Sequence, residues 1–535
     1  MRLYCFIFFF GLGTWTVAQE QLPTGQIEVI KDFEVKLMES KKIRIVPQPI
    51  QLDSNVRHYV YSLNAPSPVI EYHTPEIKPL AINPEQKPTY YPLFAKAGYG
   101  SPNSVLAAVS YDHLQNDALQ WGIDINHLSA NNKKKSLQKF SDSWGRVDGR
   151  YLLNDDVQIE AYVDARFQKV YFYGADFIPT DENLLRRKFN RYDAAFSIER
   201  LATLESSFTY RGSLQYGFDK DDLGSRESGA RIAAEVGSAI GKNRYPVGIG
   251  VEADLSKLKH TETLPVNNLL IIPFFEYHIG DLKIHLGGIG LLNSDQNEVL
   301  PDIGLSYALF GERLMAMAGW VGQVQKNNFH TLSMQNPYIE SRLDSLNNEV
   351  SRKIYAGVSG SAGSLRYEIT GAYSSFTGKA FFLQDFLEEY EFKPIYDDGY
   401  FIGGEGALQY EVLKNVDLRV QAYGRVYKLD YENKPWHVPS LGVSGMVSYA
   451  GGSDEYHVSL TFHGENGLPY RTLGGTESRL DALLDLNLHG DYYITPSLGA
   501  FVQVNNILGN NRERWYRYPN FGFNAKAGIL FRLPQ

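Results

Sequence analysis

Apolar and polar residues alternate one by one along most of this chain. From position 416 to 427, Val416, Leu418, Val420, Ala422, Gly424 and Val426 take turns with Asp417, Arg419, Gln421, Tyr423, Arg425 and Tyr427. Successive side chains of a strand point to opposite faces, so this segment has one apolar and one largely polar face. The same holds where Val157, Ile159, Ala161, Val163, Ala165 and Phe167 oppose Gln158, Glu160, Tyr162, Asp164, Arg166 and Gln168. It recurs where Leu204, Phe208, Tyr210, Leu214 and Tyr216 oppose Glu205, Thr209, Arg211 and Gln215. Near the C-terminus, Phe523, Ala525, Ala527, Ile529 and Phe531 oppose Asn524, Lys526 and Arg532. Strands of this kind, repeated without amphipathic helices between them, suit a closed wall with lipid outside and water inside.

The pattern predicts an all-β fold, a transmembrane antiparallel β-barrel of about 22 strands between residues 91 and 533. The expected strands include 203–218, 363–376, 398–412, 477–489 and 492–505. Hairpin signals sit at Asn154-Asp155, Gly241-Lys242-Asn243, Gly280-Asp281, Gly311-Glu312, Lys414-Asn415 and Gly490-Asp491. The intervening links, 174–186, 326–348, 377–397, 466–476 and 506–520, are longer. Short periplasmic turns and longer extracellular loops are the asymmetry of bacterial outer-membrane barrels. A soluble sandwich would also alternate, but so many strands exceed the usual size of one sandwich.

Composition supports this reading. Tyr (36), Phe (29) and Gly (48) are abundant, whereas Met (6) and Cys (1) are scarce, as strands and tight turns favour. Mean hydropathy is −0.29. Beyond the N-terminus no apolar run approaches the roughly 20 residues of a membrane helix. At the start, Arg2 precedes the apolar run Leu3 to Leu12, and Thr16-Val17-Ala18 offers small residues at a cleavage site. Residues 1–18 therefore read as a signal peptide, which would carry away Cys5. Residues 19–90 read as a separate periplasmic segment, rich in proline (Pro47, Pro49, Pro66, Pro68, Pro75, Pro79, Pro84 and Pro88) and poor in alternation. This segment is a candidate to fill the lumen, and residues 91–535 form the barrel.

The last strands carry a resemblance. Val504-Asn505-Asn506-Ile507-Leu508-Gly509-Asn510, then Trp515-Tyr516-Arg517-Tyr518-Pro519, then Gly522 to Leu533, resemble the C-terminal end of a TonB-dependent receptor barrel. The resemblance implies a 22-strand barrel in the outer membrane of a Gram-negative bacterium and a role in solute uptake. It also implies assembly by the barrel assembly machinery through Phe531, the counterpart of the terminal aromatic in that family. The segment 19–90 is shorter than the folded plug that precedes the barrel in that family. Within it, Ile27-Glu28-Val29-Ile30 is the one stretch comparable to a partner-binding peptide, so engagement of TonB is left open.

Candidate chemistry is sparse. Net charge is −9 with no basic stripe for nucleic acid. Lys133-Lys134-Lys135 reads as a solvated loop tip or a contact with anionic surface sugars. Polar residues expected to face the lumen are Glu160, Asp164, Arg166, Arg211, Asp417, Arg419 and Arg425, and their mixed signs suit internal pairing or a docked segment more than a one-sign selective ring. His457, Ser459, Thr461 and His463 share a strand face, but no third orienting group completes a nucleophile. No metal-ligand spacing or phosphate loop occurs, so no enzyme and no cofactor is expected. Tyr390, Phe392, Tyr396, Tyr400 and Phe401 read first as an interfacial aromatic girdle. The expected partners are outer-membrane lipid and the assembly machinery. The remaining functional alternative is a plugless scaffold holding other outer-membrane proteins. A barrel about 40 Å wide needs something in its lumen: residues 19–90, inward-folded loops or a partner.

Overall fold

The computed structural model describes residues 90–114, 118–153, 156–175, 181–200, 208–241, 244–294, 297–385, 388–451 and 455–534. The predicted signal peptide, nearly all of the proline-rich segment, Leu204 and Glu205 lie outside the described residues. Twenty-two strands form one sheet. Numbering only these barrel strands, the first eight are β1 Leu93–Gly100, β2 Ser104–Leu114, β3 Leu119–Asn131, β4 Lys139–Leu153, β5 Val157–Tyr171, β6 Arg186–Arg200, β7 Phe208–Asp221 and β8 Arg226–Ile240. Next come β9 Tyr245–Lys259, β10 Thr263–Ile279, β11 Leu282–Asn293, β12 Asn297–Ala308, β13 Met315–Lys326, β14 Asn348–Ala362, β15 Leu365–Gln384 and β16 Phe392–Leu413. The wall ends with β17 Val416–Leu429, β18 Leu441–Gly451, β19 Tyr456–Asn466, β20 Leu483–Tyr493, β21 Leu498–Asn505 and β22 Asn524–Leu533.

Each strand pairs antiparallel with its sequence neighbours, and β1 pairs with β22 from Leu93↔Leu533 to Gly100↔Lys526, which closes the sheet. Closure leaves no open edge. Arg532 reinforces the seam: its guanidinium lies 3.6 Å from the Tyr493 ring centroid and 4.1 Å from that of Tyr91. Among the described residues no helix is long and apolar enough to cross a membrane.

The facing rule holds. Val163, Phe167, Leu214, Tyr216, Ile402, Val426 and Ile529 are exposed on the outside, while their neighbours Arg425, Tyr427, Lys526 and Arg532 are buried on the inner face. Turns at one rim use left-handed residues, Gly241 (φ 73°), Gly280 (φ 56°), Gly311 (φ 59°) and Asn415 (φ 69°), as tight hairpins require. Among the described residues, the long links 172–175 with 181–185, 327–347, 467–482 and 506–523 lie at the other rim.

Three local expectations are corrected. Gly490-Asp491 is not a turn. It lies inside β20, where Gly490 pairs with Val458 and Val502, and the chain turns at 494–497 instead. Local turn propensity loses here because both neighbouring strands hold the backbone extended and Asp491 finds His489 at 2.9 Å and Lys96 at 3.5 Å. Segment 377–397 is not a long loop. β15 and β16 continue as a paired ribbon to Gln384↔Phe392, across an irregularity between Phe376 and Lys379. Finally, the strand predicted at 477–489 divides: Glu477–Arg479 pairs with Pro469–Arg471 in a small separate ribbon, and the wall strand begins at Leu483.

Candidate functional site: the closed outer mouth

Loops from around the whole circumference meet over one end of the barrel. Leu137 follows β3, Phe172 and Leu185 follow β5, and Phe329, Leu332, Ile339 and Leu343 follow β13. Phe382 and Phe392 come from the β15–β16 ribbon, and Trp515 and Tyr518 follow β21. All are buried in one apolar cluster. Strands that lie far apart around a wall about 40 Å wide thus send side chains into contact. Tyr518 stacks on Tyr338 with centroids 3.7 Å apart and meets Tyr173 edge-on at 4.9 Å. Phe172 lies 5.2 Å from Tyr390. Gln138 Nε2 donates to the Pro519 carbonyl at 2.8 Å, and Tyr173 Oη donates to the same oxygen at 3.1 Å. Such aromatic pairs contribute roughly 0.5–1.5 kcal/mol each beyond area burial.

His437, in the link after β17, ties three of these segments together. Its Nδ1 is 2.9 Å from the Phe382 carbonyl and its Nε2 is 3.3 Å from the Tyr516 amide nitrogen. A carbonyl can only accept and an amide only donate, so the ring is the neutral Nδ1–H tautomer. Burial, with the nearby Arg514 cation, pushes its pKa down to about 3, in keeping with that state.

The link 327–347 folds inward and is pinned to the lumen wall. It opens with the short helix α1, Phe329–Gln335, capped by the Asn328 side chain on the Thr331 amide. Glu227 of β8 accepts from Asn328 Nδ2 and from the Phe329 amide at 2.7 Å. His330 Nδ1 is 2.6 Å from Asp219 Oδ2 of β7, and Arg191 of β6 donates to Ser333 Oγ at 3.0 Å. Lys326 pairs with Asp254 of β9. Further along, Arg187 of β6 is fully buried, pairs with Asp221 at 2.7 Å and donates to the Ile339 carbonyl, while Ser341 Oγ donates to Asp221 at 2.6 Å. Glu340 is buried with its Oε1 unsatisfied among the described residues, and burial lifts its carboxyl to about 8. Glu391, packed nearby in the ribbon tip, is lifted to about 7 by the same cause. His330 is raised: burial opposes its charge, but the Asp219 contact outweighs it.

The residues singled out from sequence fall into two sectors rather than one site. Glu160 accepts from Gln158 at 2.8 Å. Arg166 forms a two-point pair with Asp142 at 2.6 and 2.9 Å and lies beneath α1, 4.0 Å from Met334 Sδ. Asp164 stands directly opposite Asp193 in the β5–β6 register, and Arg211 pairs with Glu199 at 2.8 Å. Across the barrel, Arg425 pairs with Glu405 at 3.2 Å, which also holds Lys353 at 3.1 Å. Asp417 and Arg419 lie further toward the short-turn rim of β17. Phe531 faces outward on β22. His457, Ser459, Thr461 and His463 lie on the inner face of β19, with His463 3.5 Å from Glu465. The girdle expectation is corrected for four aromatics. Tyr390, Phe392 and Tyr396 belong to the mouth cluster, and Phe401 packs on Tyr427 at 5.1 Å. Tyr400 pairs with Tyr373, which is exposed on the outside. Sequence reasoning missed the anchors Arg187, Asp219, Asp221 and Glu227, because nothing in strand alternation separates a wall carboxylate that holds a loop from one that meets water.

Among solved structures, the pyoverdine outer membrane receptor FpvA of Pseudomonas aeruginosa PAO1 matches with a TM-score of 0.63 and 12% identity, over 84% of this chain and 79% of the receptor. The siderophore receptor PirA of Acinetobacter baumannii matches with a TM-score of 0.63 and 11% identity, over 82% of this chain and 80% of the receptor. A variant of the ferric enterobactin receptor PfeA of Pseudomonas aeruginosa gives 0.60, 12%, 82% and 80%. No family model matches the chain, and no curated protein matches its sequence. The likeness is one of fold: the barrel is TonB-dependent receptor-like. With a closed wall, an apolar outer face and this fold, the chain is an integral outer-membrane protein.

Proposed function

We propose that this barrel takes up a solute across the outer membrane by a gated, receptor-like route rather than by free diffusion, and that it is not an enzyme. The observation that carries the reading is the packed layer of loops over the long-loop mouth, with 327–347 fastened to wall carboxylates. An open porin would leave that mouth wet. In this reading a ligand meets the loops first, and the mixed charges of Glu160, Asp164, Arg166, Arg211, Asp417, Arg419 and Arg425 line the path beneath. In the same reading residues 1–18 are a signal peptide removed on export, residues 19–90 are a periplasmic proline-rich segment, and Phe531 serves as the assembly signal. The fold likeness to siderophore receptors supports uptake as the class of function and leaves the solute and the energising partner open.

Planar-bilayer recording tests the reading. The intact protein should show no large steady conductance, and a variant with 328–346 replaced by a short glycine-serine linker should conduct. Large steady conductance from the intact protein would point to a diffusion channel. Silence from both, together with stable co-purifying outer-membrane proteins, would favour the scaffold alternative.

A further inference from the structure

The outer surface of one barrel sector carries a row of cations at the long-loop rim. In the strand register Lys220 stands directly opposite Arg226, and Arg226 directly opposite Lys259. One row away, Lys169 stands opposite Lys188, and Lys257 lies two residues from Lys259 on the same face of β9. These positions point outward because their sequence neighbours Val170, Arg187, Phe189, Asp219, Asp221, Glu227 and Leu258 are buried on the inner side. Opposed side chains of adjacent strands sit about 5 Å apart, and like charges so placed repel. Among the described residues, none of Lys169, Lys188, Lys220, Arg226, Lys257 and Lys259 is ion-paired. Two acidic residues at this rim are engaged by other cations: Glu182 by Lys139 at 2.6 Å and Asp222 by Arg186 at 3.5 Å.

The level of the row says what neutralises it. On the same outer face Phe167, in register with Lys220 through Asn190, meets Tyr192 edge-on at 5.9 Å, and Tyr192, one row below, stacks on Phe218 at 6.4 Å. Aromatic residues mark the membrane interface of a barrel. Below them Phe196, Leu214, Tyr216, Ile232, Val251 and Leu255 form an exposed apolar band. The cations therefore sit at headgroup height, directly above a surface suited to acyl chains. The feature belongs to this sector: the outward positions of β18 to β22, alternating through Leu441, Val458, Leu484, Val502 and Ile529, include no lysine or arginine.

We propose that this sector binds a phosphorylated glycolipid of the outer leaflet, its phosphates on the Lys220–Arg226–Lys259 row and its acyl chains on the band beneath. Charge complementarity and the apolar band together select a lipid over a free anion, and the side of the membrane selects a glycolipid over the phospholipids of the inner leaflet. Ammonium and guanidinium groups donate to phosphate through charge-assisted hydrogen bonds. All three side chains lie outside the lumen and the mouth.

Native mass spectrometry of the full-length protein, stripped of lipid in detergent and titrated with bisphosphorylated lipid A, tests this. The intact protein should retain lipid A, and the triple variant Lys220→Gln, Arg226→Gln, Lys259→Gln should bind it roughly tenfold to a hundredfold more weakly. Arg226→Gln alone should give an intermediate loss, so the test survives if the triple variant does not fold. Lys428→Gln, at an outward cation on the far side of the barrel, should change nothing. Equal lipid A binding by the Arg226→Gln or folded triple variant would overturn the proposal. So would equal binding of dephosphorylated lipid A or of phosphatidylethanolamine, or full competition by inorganic phosphate, which would indicate a free-anion site.

Discussion

Single residues on this wall have roles set by which way they point. Val420 lies on the outer face of β17, opposite Leu408, while Arg419 points inward. Val420→Arg should therefore cost about 2–4 kcal/mol if it lies near mid-bilayer, and Arg419→Val much less. Heat-modified gel mobility in a urea series checks the difference. Arg187 is a different case. It is fully buried against Asp221, and removing one partner leaves an uncompensated charge. Arg187→Ala should cost roughly 3–5 kcal/mol, read as lost amide protection across 327–347. Titration at the mouth has a definite sign. Glu340 is held at about 8 and Glu391 at about 7, above ordinary carboxylates, and His330 is raised. A group whose pKa is raised in the docked state contributes stability below its free value and loses it as pH rises through the docked value. The docked mouth should therefore loosen as pH climbs from about 4.5 toward 8. Amide exchange in 327–347, corrected for its intrinsic pH dependence, should rise over that window, and Glu340→Gln should flatten the change. None of these anchors was legible beforehand, since alternation reports facing and not partners.

At the level of elements, the β15–β16 ribbon shows why local signals fail where tertiary packing takes over. Gly378, near its base, adopts φ 67°, and a Cβ there would sit 2.3 Å from the Asn348 carbonyl oxygen. Such a position reads in sequence as loop punctuation. In the fold it is a bend beyond which Phe382 and Phe392 are buried in the mouth cluster and Phe381 is buried against Phe376, Tyr427 and Trp436. Gly378→Ala should destabilise the ribbon by at least roughly 1–2 kcal/mol. Faster proteolysis near 385–391 with unchanged barrel mobility would show it. The reverse error occurs at Gly490-Asp491, where a turn dipeptide is held straight by neighbours on both sides. Turn chemistry was reliable at Gly280, Gly311 and Asn415, because there only left-handed backbone closes the hairpin, whereas Asn154-Asp155 and Lys242-Asn243 lie outside the described residues.

For the whole molecule, the mouth should behave as one cooperative unit, since its side chains come from links all around the wall. His437→Ala removes the group between Phe382 and Tyr516, and should raise exchange both in 506–523 and in 327–347, which His437 does not anchor directly. An increase confined to 506–523 would show the loops to be independent. The sequence by itself determined the closed 22-strand wall, its facing and the asymmetry of its rims, because these follow from a period of two and from turn residues that act over a few positions. Tertiary structure alone decided that the loops cross the mouth, that wall carboxylates hold them, and that cations from β7, β8 and β9 align in one outward row. Those features depend on strand register and on contacts between residues more than a hundred positions apart, and neither is written in local periodicity.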